Sequence, residues 1–389
     1  MAIPLSYNLR NLAVRRTTTV MTALGIGLTV AVLASVLALT EGLRSVFASS
    51  GHPLNVLVLR KGGDAELSSQ IRRQDFNEAI KVKPGIARSR AGEPLASLEV
   101  VSIINLPSVE SAEGENIQIR GLTPLGIELR EDCKLKAGRW FTPGRREVVL
   151  GSSVEARYPA AKLGGKLTFG KGDWEVVGVY DSAMPARNSE VWADLNQIAS
   201  DFSRFEVLSS ALLRAQDEVA AQALVNELPN DPRLQVDVGP ERAYFAKQTS
   251  SGDVIQFLGT AVALIMMIGS CFAAMNTMYA AVARRSREIG TLRILGFSRT
   301  SILLSFLAES LMLAAMGGVV GLLLVLPLNG FTTGIGSNVT FAQVAFALRI
   351  TPKVLVTGFL FAMVMGALGG LLPAGNAARK QILAAMRQV

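Results

Sequence analysis

The stretch Gly165-Lys166-Leu167-Thr168-Phe169-Gly170-Lys171-Gly172 comes within one residue of a P-loop, in which backbone N–H groups cradle phosphates and a final Ser or Thr holds magnesium. Gly172 stands in place of that hydroxyl. The residues that follow, 174–180, read as a strand and not as a helix whose N-terminus would face phosphate, so nucleotide binding is not expected there. No other P-loop occurs in the chain. Glu309 lies seven residues into the apolar run 302–328, about 10 Å along a helix axis, where an ionised carboxylate costs up to about 3 kcal/mol. Such a group can relay protons, bind substrate, or hydrogen-bond across helices; with no acid or histidine in the other apolar runs, the last reading is favoured. Asn276 reads similarly as polar packing glue between helices. One histidine, His52 beside Pro53, cannot assemble a His/Cys metal site and reads as a solvated loop residue. No catalytic, cofactor-binding or metal-ligating set emerges.

The most informative residues carry charge. Residues 283–299, reading ARRSREIGTLRILGFSR, hold five arginines and one glutamate between two long apolar runs. Ile289, Leu292 and Leu295 recur at helical spacing, Arg285, Glu288 and Arg293 point elsewhere, and Gly296 followed by Ser298 predicts a helix stop and a fresh N-cap. A short amphipathic helix pinned beneath a bilayer results, and by spacing alone it could be no more than an orientation-setting anchor.

Four segments are long enough to cross about 30 Å of hydrocarbon: 17–40, 255–282, 302–328 and 354–372. None contains Lys, Arg or Asp. The first is too long for a signal-peptide core, lacks a clear small-x-small cleavage site and is read as a retained anchor. With 50% hydrophobic residues and a mean hydropathy of +0.36, the chain mixes membrane and soluble parts. Arg10, Arg15, Arg16, Arg284, Arg285, Arg287, Arg293, Arg299, Arg379, Lys380 and Arg387 flank the apolar runs with one acid, Glu288, whereas 41–253 carries 26 Lys and Arg against 29 Asp and Glu. Basic tips belong on the cytoplasmic side, so both termini are expected there and the large segment outside. The net charge of +8 is then a signature of the inner leaflet and its lipid, not of nucleic-acid binding. Cys133 and Cys271 fall in different phases, so no disulfide between them is expected.

Leu5, Leu9 and Leu12, with Asn8, Asn11 and Arg15 opposite, predict an amphipathic interfacial helix at the start of the chain. The outer segment contains β-rich runs at 54–59, 98–104, 116–119, 147–150, 166–169, 174–180 and 207–213, with helical runs at 74–82 and 218–228. An α+β domain of two lobes is expected. The second apolar run would make a helix of about 42 Å, and helical patterns at 41–47 and 241–248 extend the first two membrane helices as a stalk. Gly317 with Gly321, and Gly366 with Gly370, are small-xxx-small pairs for close packing, within one chain or between two.

The charged turn resembles the cytoplasmic coupling helix of MacB/FtsX-type (type VII) ABC transporter permeases. Met275-Asn276-Thr277-Met278 is similar to the family's Met-Asn-x-Met, and Arg285, Arg287, Glu288, Ile289 and Gly290 follow as Arg-x-Arg-Glu-Ile-Gly. Phe306-Leu307, Glu309, Gly317-Gly318 and Gly321 continue in register. The run from Leu9 to Arg16 with Leu24-Gly25-Ile26 resembles the start of these permeases, and Gly138-Arg139-Trp140-Phe141, Val148 to Gly151, Leu163-Gly164 and Val176 to Val179 their periplasmic core domain. Pro373-Ala374 and Ala377-Ala378-Arg379 resemble the family ending, although Gln381-Ile382 stands near its later proline.

The resemblance implies four transmembrane α-helices with an α+β extracytoplasmic domain between helices one and two, in a bacterial inner membrane. The expected layout is an amphipathic helix at 1–16, first membrane helix and stalk at 17–47, MacB-like domain at 48–240, stalk and second helix at 241–283, coupling helix at 284–301, third helix at 302–328, external loop at 329–353, fourth helix at 354–372 and cytoplasmic tail at 373–389. It further implies a permease subunit without a motor of its own, working with a separate ABC ATPase that binds ATP and Mg. Arg287, Glu288, Gly290, Arg293 and Gly296 would couple to that ATPase. A homodimer or a heterodimer with a related permease, and a periplasmic adaptor or outer-membrane channel, are the further partners implied. Lipoprotein release, with Ile103-Ile104-Asn105-Leu106-Pro107 as an apolar hook, and activation of an extracytoplasmic hydrolase stay open as alternatives to MacB-like export.

Overall fold

The computed structural model describes residues 5–14, 16–48, 50–109, 113–248, 250–336 and 343–379. The chain begins with α1 (Leu5–Val14) and α2 (Arg16–Ala48), then β1 (Asn55–Arg60), β2 (Ile71–Arg72), α3 (Arg73–Asp75) and a π-turn (Phe76–Ile80). There follow β3 (Ala96–Leu106), β4 (Glu115–Leu122), α4 (Pro124–Glu128), β5 (Cys133–Gly138), β6 (Glu147–Gly151), α5 (Ser152–Arg157), β7 (Lys166–Phe169) and β8 (Gly172–Ser182). A 3-10 turn (Pro185–Ser189) leads to β9 (Glu190–Asp194), α6 (Leu195–Asp201), β10 (Val207–Leu208), β11 (Ser210–Arg214), α7 (Glu218–Glu227) and β12 (Val236–Pro240). The chain continues through α8 (Glu241–Gln248), α9 (Ser250–Arg284), α10 (Ser286–Ile294), α11 (Arg299–Val325), β13 (Thr332–Gly336), β14 (Gln343–Ala347) and α12 (Pro352–Arg379). Two compact units result: a helical unit of residues 1–42, 252–331 and 347–389, and an α+β unit of residues 43–251 and 332–346.

The helical unit contains the four membrane-spanning helices α2, α9, α11 and α12, each with an apolar window long enough to cross a bilayer. At about 1.5 Å per residue, α2 and α9, of 33 and 35 residues, run about 50 Å, well beyond the hydrocarbon thickness. Glycine permits the helices to approach closely. A Cβ on Gly321 would lie 2.3 Å from the Gly27 carbonyl oxygen, one on Gly317 2.7 Å from that of Ala23, one on Gly366 2.4 Å from the Ala314 Cβ and one on Gly370 2.5 Å from the Ser310 Cβ. The first two contacts join α11 to α2 and the last two join α12 to α11, so both glycine pairs serve packing within one chain. Across α2 and α9, Gly259 lies against the Val36 side chain and hydroxyls also meet, with Thr29 and Ser270 at 2.7 Å and Thr22 donating to Thr277 at 3.3 Å.

The α+β unit is built on a mixed ten-stranded sheet in the order β12-β1-β11-β3-β4-β9-β6-β8-β5, with β7 beside β8. Its halves share β3: residues 96–99 pair with β11, and residues 100–106 pair with β4. The two expected lobes are thus two halves of one sheet. Apolar residues of both halves, among them Val58, Val100, Ile119, Val148, Trp174 and Leu213, form one core, and Leu122, Phe141, Val149, Tyr180 and Trp192 form a second cluster. The segment between α11 and α12 also departs from expectation, because it is a hairpin, β13–β14, belonging to the α+β unit. Gln381 and Ile382 lie outside the described residues.

Candidate functional site

Arg285 ends α9 by leaving helical backbone, at φ −100° and ψ 18°, and α10 starts immediately after it. The far end is a Schellman stop: Gly296 has φ +91°, its N–H donates to the Arg293 carbonyl at 3.2 Å, and the Phe297 N–H donates to the Leu292 carbonyl at 3.1 Å. Ser298 then caps α11, its hydroxyl accepting from the Ser301 N–H at 3.1 Å. A backbone break at one end and a Schellman stop at the other therefore isolate a nine-residue helix between two membrane spans.

The inward side of α10 differs from the periodic reading. Ile289 is buried, in a cluster with Met278 and Val282 of α9, Ile302 and Phe306 of α11, and Ala374 and Ala377 of α12. Gly290 and Ser286 are buried beside it. Leu295, expected to join this apolar stripe, is 65% exposed, as is Ile294 at 59%. Arg285, expected to point away, is buried instead. Its Nε donates to Glu288 at 3.0 Å, its Nη1 donates to Glu309 at 2.9 Å, and its guanidinium lies 5.3 Å from the Phe306 ring centre. The side chains of Arg285 and Glu309 are 6% and 4% exposed, so this is a buried pair. Sequence reasoning placed Glu309 near a helix partner but missed the arginine, which stands 24 residues away.

The other singled-out residues divide clearly. Arg287 and Glu288 are exposed on α10, while Arg293 donates to the Phe297 carbonyl at 3.1 Å and braces the helix stop. Asn276, read as packing glue, is exposed on α9, so its amide does not pack inside this chain. His52 is half-buried, not solvated: Nδ1 accepts from the Leu54 N–H at 3.2 Å, and burial followed by the Arg214 charge lowers its pKa. Ile104 and Leu106 are buried in β3, which removes 103–107 as an apolar hook. The P-loop-like stretch is the β7–β8 hairpin. A Cβ on Gly170 would meet the Asp201 carboxylate at 2.7 Å, and that acid accepts from the Lys171 N–H at 3.2 Å, where a phosphate would be repelled. Among the described residues no group of three His, Cys, Asp or Glu side chains could hold a metal.

The α+β unit has its own buried charge network at the place where β3 passes from one half-sheet to the other. Glu99, fully buried on β3, accepts from Arg120 of β4 and from Arg130, each at 2.7 Å. Arg120 also donates to Glu66 at 2.7 Å and to Glu190 of β9 at 2.9 Å. Burial opposes ionisation of Glu66, yet the Arg120 charge and hydrogen bonds leave its pKa below the usual 4.5. Cys133, nearby, is pushed up to about 12 by burial and stays a thiol. Every charge in this network meets an opposite charge of the same chain, the pattern of a structural clamp and not of a ligand site.

Comparison with known proteins places these features. Residues 19–231 match the MacB-like periplasmic core domain, and residues 260–382 match the FtsX-like permease C-terminal domain. The macrolide export ATP-binding/permease protein MacB of Hahella chejuensis is 24% identical over 94% of this chain and 57% of its own length, and the uncharacterized ABC transporter permease YknZ of Bacillus subtilis is 27% identical over 65% of this chain and 66% of its own. The chain therefore spans less than two thirds of the length of either relative. The periplasmic region of MacB from Actinobacillus actinomycetemcomitans aligns with 51% of the chain and 92% of that structure, with 17% identity and a TM-score of 0.37. With the periplasmic core domain matched across more than half of its residues, and the permease domain matched over the helices that carry α10, the chain belongs to the MacB/FtsX family of ABC transporter permeases.

Proposed function

We propose that this chain is the membrane subunit of a MacB-like export or mechanotransmission complex, which converts ATP hydrolysis on a separate cytoplasmic ATPase into movement of its extracytoplasmic domain. The observation that supports it is the two-sidedness of α10. Its inner side is fixed to α9, α11 and α12 by Ile289 and by the Arg285–Glu309 pair, while Arg287, Glu288, Ile294 and Leu295 are exposed on its outer side. An orientation-setting anchor needs the arginines alone. A helix that presents both charge and apolar area, and is bolted to three membrane helices behind, suits a groove on a soluble partner that pushes it. ATP and Mg would be bound by that partner and not by this chain. Both termini would be cytoplasmic, α2 and α8–α9 would form the stalk, and two protomers, identical or related, would move together.

The test uses the full chain in lipid nanodiscs with its cognate ATPase. Arg293 braces the helix stop and Glu288 accepts from buried Arg285, so Ile294→Ser and Leu295→Ser, at exposed positions, are cleaner probes than removal of either charge. Each is expected to weaken ATPase docking or stimulated turnover by about tenfold or more, the loss typical of a central interface residue. Insertion and thermal stability should stay unchanged, because exposed substitutions usually alter stability by about 0.5 kcal/mol or less. A double variant with unchanged docking and turnover would reduce α10 to an anchor.

A further inference from the structure

The chain leaves the helical unit for the α+β unit in two excursions, one from α2 to α9 and one from α11 to α12. The segment Gly51–His52 follows the first crossing, Glu241 stands just before the second, and Ala345 lies between the third and fourth. All three contact one short segment, residues 184–189. The Gly51 N–H donates to the Met184 Sδ at 3.2 Å. Glu241 accepts from Arg187 Nη2 at 2.7 Å, and its other oxygen accepts from the His52 N–H at 2.9 Å. The Ala345 N–H donates to the Ser189 hydroxyl at 3.0 Å.

The segment is itself held to the sheet. The Tyr180 hydroxyl of β8 donates to the Arg187 carbonyl at 2.6 Å, and the Ser182 N–H donates to the Asn188 side chain at 2.8 Å. Arg187, 2% exposed, is paired a second time with Asp132 just ahead of β5. The first two membrane connections are also clasped directly: Arg242 Nε donates to the Gly51 carbonyl at 3.1 Å, and Gly51 has φ +92° with room for no side chain, since a Cβ would stand 2.8 Å from the Arg242 nitrogen.

From this convergence we infer that residues 184–189 are a mechanical junction, with Arg187 its positioning residue, through which displacement of every membrane helix reaches the extracytoplasmic sheet. The inference rests on the proposed force-transmitting function and adds where the force enters. Buried, doubly paired Arg187 supplies a contact that does not slip, and the Met184 and Ser189 contacts add the first helix and the α11–α12 hairpin to the same point. A stalk alone would load the sheet only through α2 and α8. The junction loads it from the hairpin as well.

The test is hydrogen exchange on the full chain, reconstituted in nanodiscs with its cognate ATPase, with and without nucleotide trapped. The readout is the nucleotide-driven change in protection over β5 and β6, strands in which none of the substitutions lies. Arg187→Gln is expected to abolish that change. Because it leaves Asp132 and Glu241 short of a partner and can unfold the domain, Met184→Leu with Ser189→Ala serves as the second variant, since it creates no unpaired charge. This double variant should reduce the response at least about threefold, as the loss of a hydrogen bond would, with ATPase turnover unchanged. A full response in the double variant would overturn the junction. If the wild-type chain gave no response while stimulating its ATPase, force transmission and the junction would fall together, a different result from a response that survives substitution.

Discussion

Glu241 shows how one side chain can tie stability to pH. Burial alone would raise its pKa, but the charges of Arg187 and Arg130 and the hydrogen bonds from the His52 N–H and from Asn55 overcome that and bring it down from 4.5 to about 2. A depressed folded pKa means that the contribution is fully present above about 4.5 and is lost as pH falls toward 2. A fall of that size corresponds to on the order of 3 kcal/mol. We therefore expect urea unfolding of the full chain, followed through the buried Trp174 and Trp192, to show a midpoint that falls steeply between pH 4.5 and 2 and is flat above it. Glu241→Gln should flatten that slope; an unchanged slope would mean that other carboxylates carry the acid sensitivity.

At the level of elements, helix packing depends on where glycine stands. Gly321→Ala places a methyl against the Gly27 carbonyl oxygen and must separate α11 from α2, at a cost of about 1–3 kcal/mol. Gly25→Ala on the same α2 meets nothing within 4 Å and should be neutral or slightly stabilising. Thermal unfolding in detergent ranks the two, and equal midpoints would argue against the glycine contact. The four spans and the Gly296–Ser298 stop were legible in the sequence because apolar length and turn chemistry are local. Strands 166–169 and 174–180 were legible for the same reason. Strand β12, Val236-Asp-Val-Gly-Pro, was not, because Asp, Gly and Pro mark a loop unless the strand lies at a sheet edge, as it does. Strand β9, Glu190-Val-Trp-Ala-Asp, hides its acids only because Arg120 and a helix cap receive them. The Arg285–Glu309 pair escaped for a related reason: which of five arginines turns inward is decided by tertiary packing, which spacing does not record.

For the whole molecule, the charge distribution implies an orientation that labelling can check. Ser286 is buried and Ser152 half-buried, so exposed Thr291 and Lys171 are better reporters. With Cys133 and Cys271 replaced, Lys171→Cys should react with an impermeant maleimide in intact spheroplasts, and Thr291→Cys only after permeabilisation. Reaction of both from outside would invalidate the arrangement of spans. The sheet order has a consequence in time as well as in space. Strand β1 lies next to β11 and β12, with Asn55 opposite Arg214 and Arg60 opposite Val236. Its partners are synthesised some 150 residues later, on the order of ten seconds at about 5–20 residues per second. Through that interval α2 is already available to the membrane, while the first strand stands with both edges open. Biogenesis of this permease is therefore a race between pairing and aggregation, settled only when the chain has been made as far as residue 240.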